Sequence, residues 1–363
     1  MKSEIISKFG FMPGIKMLYD GKAIEVQLPS NTNGKQGKLV TVFPVEGVAL
    51  NLIDIKSATI PEYIEEPIKN PKELKINYCS RGRCELKLQN GEFTYLTCGE
   101  ISIDAGQALN SFYYPSEEYE GFEVVISMNR QRRTKIAPIH SDKAAFSPAS
   151  EFVPEGYTTN EECDTLLTLG GERFLLPKKM YDQCAVYERP WIKNADKFLN
   201  GIYEDFKYFV NNRMCIELIL VKIIELILYI NQLDFSQSEL RRTYYTFSQI
   251  EIAKRTHDII LSDLSVRHTA KNLAEKFGIS ETSLKNYFRS VYGCGYSEYQ
   301  QTVRMQKAAE LLKNSNEKVS AIAAQVGFAT QTKFGIAFKE CYGLTPLEYR
   351  RKENLNSDNY EEG

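Results

Sequence analysis

The chain has 363 residues, of which 43% are hydrophobic and 25% charged, and its formal net charge at pH 7 is −2. A chain of this length is expected to fold into two or three domains. It has no uninterrupted apolar stretch of about 18 residues, so the sequence excludes a membrane-spanning helix. The first twenty residues lack the apolar core of a signal peptide, and we expect a cytoplasmic protein.

Charge is distributed unevenly along the chain. From Thr256 to Lys352 there are 14 Lys and Arg residues against 9 Asp and Glu, a net of +5. From Met1 to Arg255 the counts are 31 and 34, a net of −3, and the tail from 353 to 363 adds four acidic residues. Phosphate binding requires a local excess of positive charge, so the near-neutral total does not exclude a nucleic-acid partner for the C-terminal part.

Residues 36–130 have the composition and spacing of β structure. A turn is expected at Ser80–Arg83, and Asn90-Gly91 is a strong hairpin signal. Short strands separated by turns predict a small barrel or jelly roll. The runs rich in strand-forming residues are 39–43, 48–53, 74–78, 84–89, 93–96, 101–103 and 122–128.

Histidine and cysteine usage argues against a metal enzyme in this β region. Residues 1–139 contain no histidine, and the chain has three, His140, His257 and His268. The eight cysteines form no Cys-x-x-Cys pair, which favours free buried thiols over a zinc site and leaves a redox-sensing pair as a minor alternative. No nucleophile–base pair is recognisable. We therefore predict neither a metal, nor a cofactor, nor an enzymatic activity.

Aromatic side chains are the candidates for a small-molecule pocket in the β region. Tyr78, Phe112 and Tyr114 are predicted to line it. The alternative, that these rings belong to the core, is at least as well supported by the usual burial of aromatic residues.

Two helices are predicted between residues 194 and 235. The first spans about 194–210 and the second about 216–233, with Ile223 and Ile227 among the apolar residues of the second. Its apolar face is wider than a surface helix needs. We expect part of this face to meet the β region and part to meet a second copy of the protein. Residues 237–242 are the predicted linker to the last domain.

The C-terminal region contains one short pattern twice. Ala274 and Gly278 in the first copy correspond to Ala323 and Gly327 in the second, 49 residues later. Two helices that cross at a steep angle need a small residue at the crossing and a glycine in the turn. Each copy therefore predicts a helix-turn-helix, with Ser280 capping the second helix of the first copy and Thr330 that of the second.

The helix after each turn combines a buried stripe with a polar face. Lys, Asn, Gln and Thr side chains match the donors and acceptors of base edges in a major groove, and cations at other positions face phosphates. One copy alone would favour two solvated helices of an ordinary bundle, but the repeat favours DNA binding. The predicted base contacts are Thr282, Lys285 and Asn286 in the first copy and Gln331, Thr332 and Lys333 in the second, with Arg289 and Lys339 on phosphates.

Residues 256–352 resemble the DNA-binding domain of the AraC/XylS family of bacterial transcription regulators. The resemblance is strongest from Ile322 to Phe328 and continues through Phe334, Phe338-Lys339 and the 343–346 segment to Tyr349-Arg350. It implies seven helices, with two recognition helices joined by a long helix near residues 296–314. It also implies a cupin-like sensor in the β region. Ala329, Thr330 and Ile336 depart from the polar residues that the family often carries there.

The expected fold class is α+β. It comprises a cupin-like β-barrel or jelly-roll sensor at 1–140, a connecting region with dimerisation helices at 141–240, a double helix-turn-helix domain at 245–352 and an acidic tail at 353–363. The expected function is a transcription regulator controlled by a small molecule. The expected partners are double-stranded DNA, an effector, RNA polymerase and a second copy of the chain. Two alternatives stay open: a ligand-independent regulator whose β domain binds proteins, and a bifunctional protein with an enzymatic β domain.

Overall fold

The computed structural model describes residues 15–30, 36–59, 72–110, 113–128, 167–169, 172–174, 176–235 and 242–361. Its contacts divide the chain into two units. The first comprises Met1–Gln89 and Leu96–Arg242, and the second comprises Asn90–Tyr95 and Thr243–Gly363. The predicted division into sensor, connecting region, DNA-binding domain and tail stays a prediction.

The described residues before Arg242 form strands and three α-helices. The helices are α1 (Leu176–Ala185), α2 (Lys197–Asn211) and α3 (Ile216–Ile230), and a short 3₁₀ helix spans Tyr19–Gly21. The strands are β1 (Ile15–Leu18), β2 (Ala23–Ser30), β3 (Gln36–Val42), β4 (Val48–Ile55), β5 (Glu73–Leu88), β6 (Phe93–Thr97), β7 (Glu100–Asp104), β8 (Ala108–Asn110), β9 (Tyr119–Ser127), β10 (Leu167–Leu169), β11 (Glu172–Phe174) and β12 (Trp191–Asn194).

The main sheet is antiparallel and open. Its strand order is β1-β2-β3-β4-β9-β5-β7-β12, and β6 and β8 pair with β5 off this path. Strand alternation places Leu50, Phe122 and Ile76 on one buried face. The predicted closed barrel or jelly roll is not confirmed, because β1 and β12 end the order without pairing with each other in the described part. Alternating residues specify which face of a strand is buried, but they do not specify whether a sheet closes.

The turn predicted at Ser80–Arg83 is wrong, because β5 runs through it without interruption. The pairing register of β5 with β9 shifts between Cys79 and Arg81, as in a β-bulge. Gly82 has φ +82°, and a Cβ there would lie 1.8 Å from the carbonyl oxygen of Glu118. The polar Ser-Arg-Gly-Arg run thus belongs to a bulged strand. The predicted hairpin at Asn90-Gly91 is confirmed, since β5 and β6 pair on either side of it.

Helices α2 and α3 cover one face of the sheet and share a single hydrophobic core with it. Asp196 caps α2 by accepting a hydrogen bond of 3.0 Å from the backbone N–H of Leu199. On α3, Ile223 and Ile227 are 0% and 1% exposed, so they belong to the core of this unit. Packing within one chain therefore buries most of the wide apolar face of α3. Among its large apolar residues, Val221 and Leu228 remain exposed.

The second unit contains seven helices in its described part. They are α4 (Phe247–Ser262), α5 (Ala270–Phe277), α6 (Glu281–Tyr292), α7 (Tyr296–Asn314), α8 (Val319–Gln325), α9 (Gln331–Tyr342) and α10 (Pro346–Glu361). The predicted long helix at 296–314 is confirmed as α7 with the same bounds. None of the helices in the described residues is long and apolar enough to cross a membrane.

Helices α5 and α6 form the first helix pair. Ala274 is buried at 2% exposure, which allows α5 to approach its neighbours closely. Gly278 ends α5 in the left-handed conformation at φ +66°. Ser280 then caps α6 by accepting a hydrogen bond of 3.1 Å from the backbone N–H of Ser283. The predicted glycine turn and cap of the first copy are confirmed.

Helices α8 and α9 form the second helix pair. Ala323 is 1% exposed, and Gly327 has φ +77°. Thr330 caps α9 by accepting a hydrogen bond of 3.3 Å from the backbone N–H of Lys333. Helices α6 and α9 both contain 12 residues, and they start 50 residues apart. The internal repeat seen in the sequence is therefore a repeat of local structure.

The two turn glycines differ in their surroundings, which predicts different costs of substitution. A Cβ at Gly278 meets nothing within 4 Å, whereas one at Gly327 would lie 2.7 Å from the carbonyl oxygens of Leu264 and Ser265. Gly278→Ala should cost about 1–2 kcal/mol of stability, the penalty of a left-handed residue with a Cβ. Gly327→Ala should cost clearly more, because backbone must also move. Thermal or urea unfolding of both variants measures this, and equal costs would contradict the crowding at Gly327.

Candidate nucleic-acid interface

Helix α6 exposes a polar face above a buried stripe. Leu284, Phe288 and Val291 are fully buried. The predicted contact residues Thr282, Lys285, Asn286 and Arg289 are all exposed. Their spacing follows from the helical period, since a stripe at i, i+4 and i+7 leaves the intervening positions on the other faces. The structure thus groups the predicted base-contacting residues of the first copy on one accessible helix.

Helix α9 repeats this arrangement with different side chains. Phe334 and Phe338 are fully buried. Gln331, Thr332, Lys333 and Lys339 are exposed, as expected of contact residues. Ile336 is 58% exposed and is an apolar residue on an otherwise polar helix surface. At the offset of 50 residues between the helices, Ile336 corresponds to Asn286, so the two helices offer different chemistry at equivalent positions.

The cations on these helices have few strong partners. The Lys285 ammonium lies 3.5 Å from the Glu281 carboxylate in an exposed i, i+4 pair, which water and salt screen strongly. Arg289 and Lys339 lie in the last turns of α6 and α9. A cation in a last turn also complements the helix dipole. Their position therefore serves helix stability as well as any contact with phosphate.

A separate set of contacts holds the far side of α6. The Gln249 amide of α4 donates a hydrogen bond of 3.2 Å to the Tyr287 hydroxyl. The hydroxyls of Tyr245 and Ser290 share another hydrogen bond. Thr246 and Gln249 form a capping box that fixes the start of α4. These contacts orient α6 so that Lys285 and Asn286 stay on its free side.

Each helix pair has its own small hydrophobic cluster. Under the first pair, Leu273 and Leu284 pack with buried alanines of α5 and with Tyr296 at the start of α7. Under the second pair, Phe334 and Phe338 pack with Met305 and Leu312 of the later part of α7. Helix α7 therefore contributes to both clusters and joins them.

Two arginines that donate to backbone carbonyls were missed as functional candidates from the sequence: Arg304, which is buried, and Arg350, which is half-buried. Arg304 is 6% exposed on α7, and one of its guanidinium nitrogens donates a hydrogen bond of 2.6 Å to the carbonyl oxygen of Val266. Burial lowers the pKa of the Arg304 guanidinium. Arg350 on α10 donates in the same way to the carbonyl of Glu317, at 2.6 Å. The sequence did contain a signal for the burial of Arg304. Arg304 precedes Ala308 and Leu312 of the buried stripe of α7 by four and eight residues, which places all three on one face of the helix.

The predicted pocket residues of the first unit are largely core residues. Tyr78 is 4% exposed, and its hydroxyl donates a hydrogen bond of 2.8 Å to the Asn200 side chain. Its ring centroid lies 5.4 Å from those of Phe122 and Tyr203. Tyr114 is also buried, and its ring packs 5.2 Å from that of Tyr119. Phe112 lies outside the described residues. Binding of a ligand by these residues stays a prediction.

Two thiols of the sheet, those of Cys79 and Cys84, are shielded from solvent. Cys79 and Cys84 are buried, and this burial raises the pKa of both thiols far above their usual range. They are therefore protonated at neutral pH, which disfavours the reactive thiolate that a redox sensor needs. Among the described residues, no cluster of three or more His, Cys, Asp or Glu side chains is arranged to hold a metal ion.

Comparison with known proteins points to the same region. Residues 273–352 match the helix-turn-helix domain family. The chain is 33% identical over 99 residues to the HTH-type transcriptional activator RhaR of Yersinia pseudotuberculosis, a match that covers 26% of this chain and 34% of RhaR. It is 31% identical over 87 residues to a putative AraC-like transcription regulator of Streptomyces lividans, covering 24% of this chain and 29% of that protein. The matches thus span about a third of these curated relatives.

A solved structure matches a similar share of the chain. The C-terminal domain of AraT, a response regulator from Geobacillus stearothermophilus, is 32% identical. That match covers 28% of this chain and 84% of the solved domain, with a TM-score of 0.27. The type of this domain follows from the sequence matches and not from this superposition. Residues 273–352 therefore form a helix-turn-helix domain of the AraC type, which the chain shares with transcription regulators.

Proposed function

We propose that the chain is a sequence-specific DNA-binding transcription regulator that reads its site with two helices. The observation that carries this proposal is the pair of helices of equal length, α6 and α9, each with a polar face above a buried apolar stripe. Their location in the matched region of the chain supports it further. The net charge of +5 from Thr256 to Lys352 would attract the DNA backbone.

The two helix pairs would act as helix-turn-helix motifs in successive major-groove faces. Helix α7 has 19 residues, which at a rise of 1.5 Å corresponds to a length of about 28 Å. This length approaches the ~34 Å between major-groove faces on the same side of B-DNA. In the proposed complex, Thr282, Lys285 and Asn286 contact one element and Gln331, Thr332 and Lys333 the next. Arg289 and Lys339 then contact phosphates.

The first unit would regulate this activity by binding a small-molecule effector, and RNA polymerase would be the protein partner at promoters. Two alternatives remain: a β unit that binds only proteins, and one with an enzymatic activity. Mass spectrometry of small molecules released from the purified protein separates the first proposal from the protein-binding alternative.

DNA binding by the full-length protein should weaken steeply with salt. Each phosphate neutralised contributes about −0.9 to the slope of log affinity against log salt concentration. Arg289→Gln should reduce the slope by about one unit if Arg289 contacts a phosphate. Lys207→Gln is the control, because Lys207 is an exposed cation on α2 of the other unit. Fluorescence anisotropy at several salt concentrations measures the slopes, and an affinity that does not depend on salt would contradict DNA-backbone binding.

Substitutions on the two helices should relax different parts of the DNA site. Lys285→Ala should reduce base preference only in the element under α6, and Gln331→Ala only in the element under α9, each by about 1–3 kcal/mol for a good base contact. Lys313→Ala removes an exposed cation from α7 and should change neither preference. Selection from a randomised operator library measures all three. A change of preference in both elements from one substitution would refute separate readers.

A second copy of the chain is the proposed partner of the exposed part of α3. Val221 and Leu228 are 48% and 41% exposed and lie seven residues apart, on the same side of the helix. Changing both to Lys should convert dimers to folded monomers in analytical ultracentrifugation. Ile223→Lys is the matched contrast, since Ile223 is 0% exposed and its substitution should unfold the unit. A wild-type protein that sediments as a monomer at micromolar concentration would exclude the dimer.

A further inference from the structure

The loop between α4 and α5 meets the turn of the second helix pair. The turn residue Gly327 packs so closely that a Cβ would lie 2.7 Å from the carbonyl oxygens of Leu264 and Ser265. The same Cβ would lie 2.9 Å from a guanidinium nitrogen of Arg304. The loop that precedes the first helix pair therefore touches both the long helix and the turn of the second pair.

Arg304 is the buried polar group at this junction. One guanidinium nitrogen donates a hydrogen bond of 2.6 Å to the carbonyl oxygen of Val266 in the loop. The Asp263 carboxylate braces the loop by accepting hydrogen bonds from the backbone N–H and the hydroxyl of Ser265, at 2.9 and 2.6 Å. The Arg304 guanidinium is 6% exposed, and burying its charge has a large desolvation cost. A specific contact must offset that cost. Removal of the donor would leave the Val266 carbonyl without this partner.

Apolar packing alone does not fix how the two helix pairs are placed relative to each other. This junction and α7 determine their placement. Among the described residues, the buried side chains under α5 and under α9 fall in two separate clusters, one with Leu273 and Leu284 and the other with Phe334 and Phe338. A common apolar core would fix both pairs in one arrangement by its own close packing. Separate cores joined by one helix instead permit bending or rotation of one pair against the other. Arg304 opposes such movement, because it ties α7 to the loop that lies on Gly327.

We propose that Arg304 is a positioning residue that sets the spacing and phase between the two DNA-reading helices. This inference rests on the proposed recognition of DNA by two helices. It adds a residue that determines the specificity for spacing without contacting a base. With Arg304 in place, α6 and α9 can be in register with their elements only at one separation. Without it, the two pairs shift relative to each other and tolerate sites whose elements are displaced by a base pair.

Arg350 provides a matched control in the second half of the repeat. It donates to the carbonyl oxygens of Leu312, at 3.3 Å, and Glu317, at 2.6 Å. Both partners lie at the end of α7 or in the segment before α8, so the contact stays with the second pair. Arg350→Met should weaken recognition of the second element without changing the preferred spacing. Arg304→Met removes a more deeply buried arginine that makes the same kind of contact, and it should change the spacing preference.

The test uses the full chain and a library of sites in which the interval between the two elements varies by one or two base pairs. Wild type should prefer one interval over its neighbours by about five- to hundredfold, the range spanned by one good base contact. Arg304→Met should lose most of this preference, and Arg304→Lys, which keeps one donor, should recover part of it. Gly327→Ala disturbs the same junction from the opposite side and should also broaden the profile.

The outcomes separate the two levels of the proposal. If wild type shows no preferred interval, the two-helix reading itself fails. If wild type shows one and folded Arg304→Met retains it, even at lower affinity, the positioning role is wrong and Arg304 is merely structural. If Arg304→Met does not fold, the profiles of Arg304→Lys and Gly327→Ala decide, and unchanged profiles in both overturn the inference.

Discussion

The burial of aromatic side chains beneath two short helices is the constraint on which the rest of the second unit depends. Helices of 12 residues are marginal in water by themselves. The buried rings on these helices are Phe288 of α6 and Phe334 and Phe338 of α9. Their burial supplies stability that helix propensity alone does not. Because each stripe occupies one face of its helix, the exposed residues of the opposite face take no part in that core. The same burial that stabilises the domain therefore leaves the candidate surface for recognition exposed.

Local chemistry explains why much of this unit was predictable from sequence. Ser280 and Thr330 act as caps, and Gly278 and Gly327 adopt positive φ, because each role depends on a residue and its near neighbours in the chain. Arg304 was missed because its role depends on a partner 38 residues away. Such a contact leaves only a weak trace in a single sequence, namely a charge at a buried helical position.

The first unit was predicted less completely, for physical reasons. The sequence identified half of the described strands and the buried face of the sheet, but the sheet is open and β5 continues through the expected turn. A polar run with glycine is compatible with both a turn and a bulge, and tertiary pairing decides between them. Tyr78 was a candidate for a pocket, and the structure packs it against α2 instead. The apolar width of α3 reflected a buried helix more than an interface.

The proposed function rests on two helices of equal length with different exposed faces. Equivalent positions carry Asn286 in α6 and Ile336 in α9, so in the proposed complex a single chain would recognise two unlike elements. Hydroxyl-radical footprinting of the full chain on a selected operator tests this claim most directly. The account predicts two protected patches on one side of the duplex, about 10 base pairs apart. A single protected patch, or two patches on opposite sides of the duplex, would contradict it.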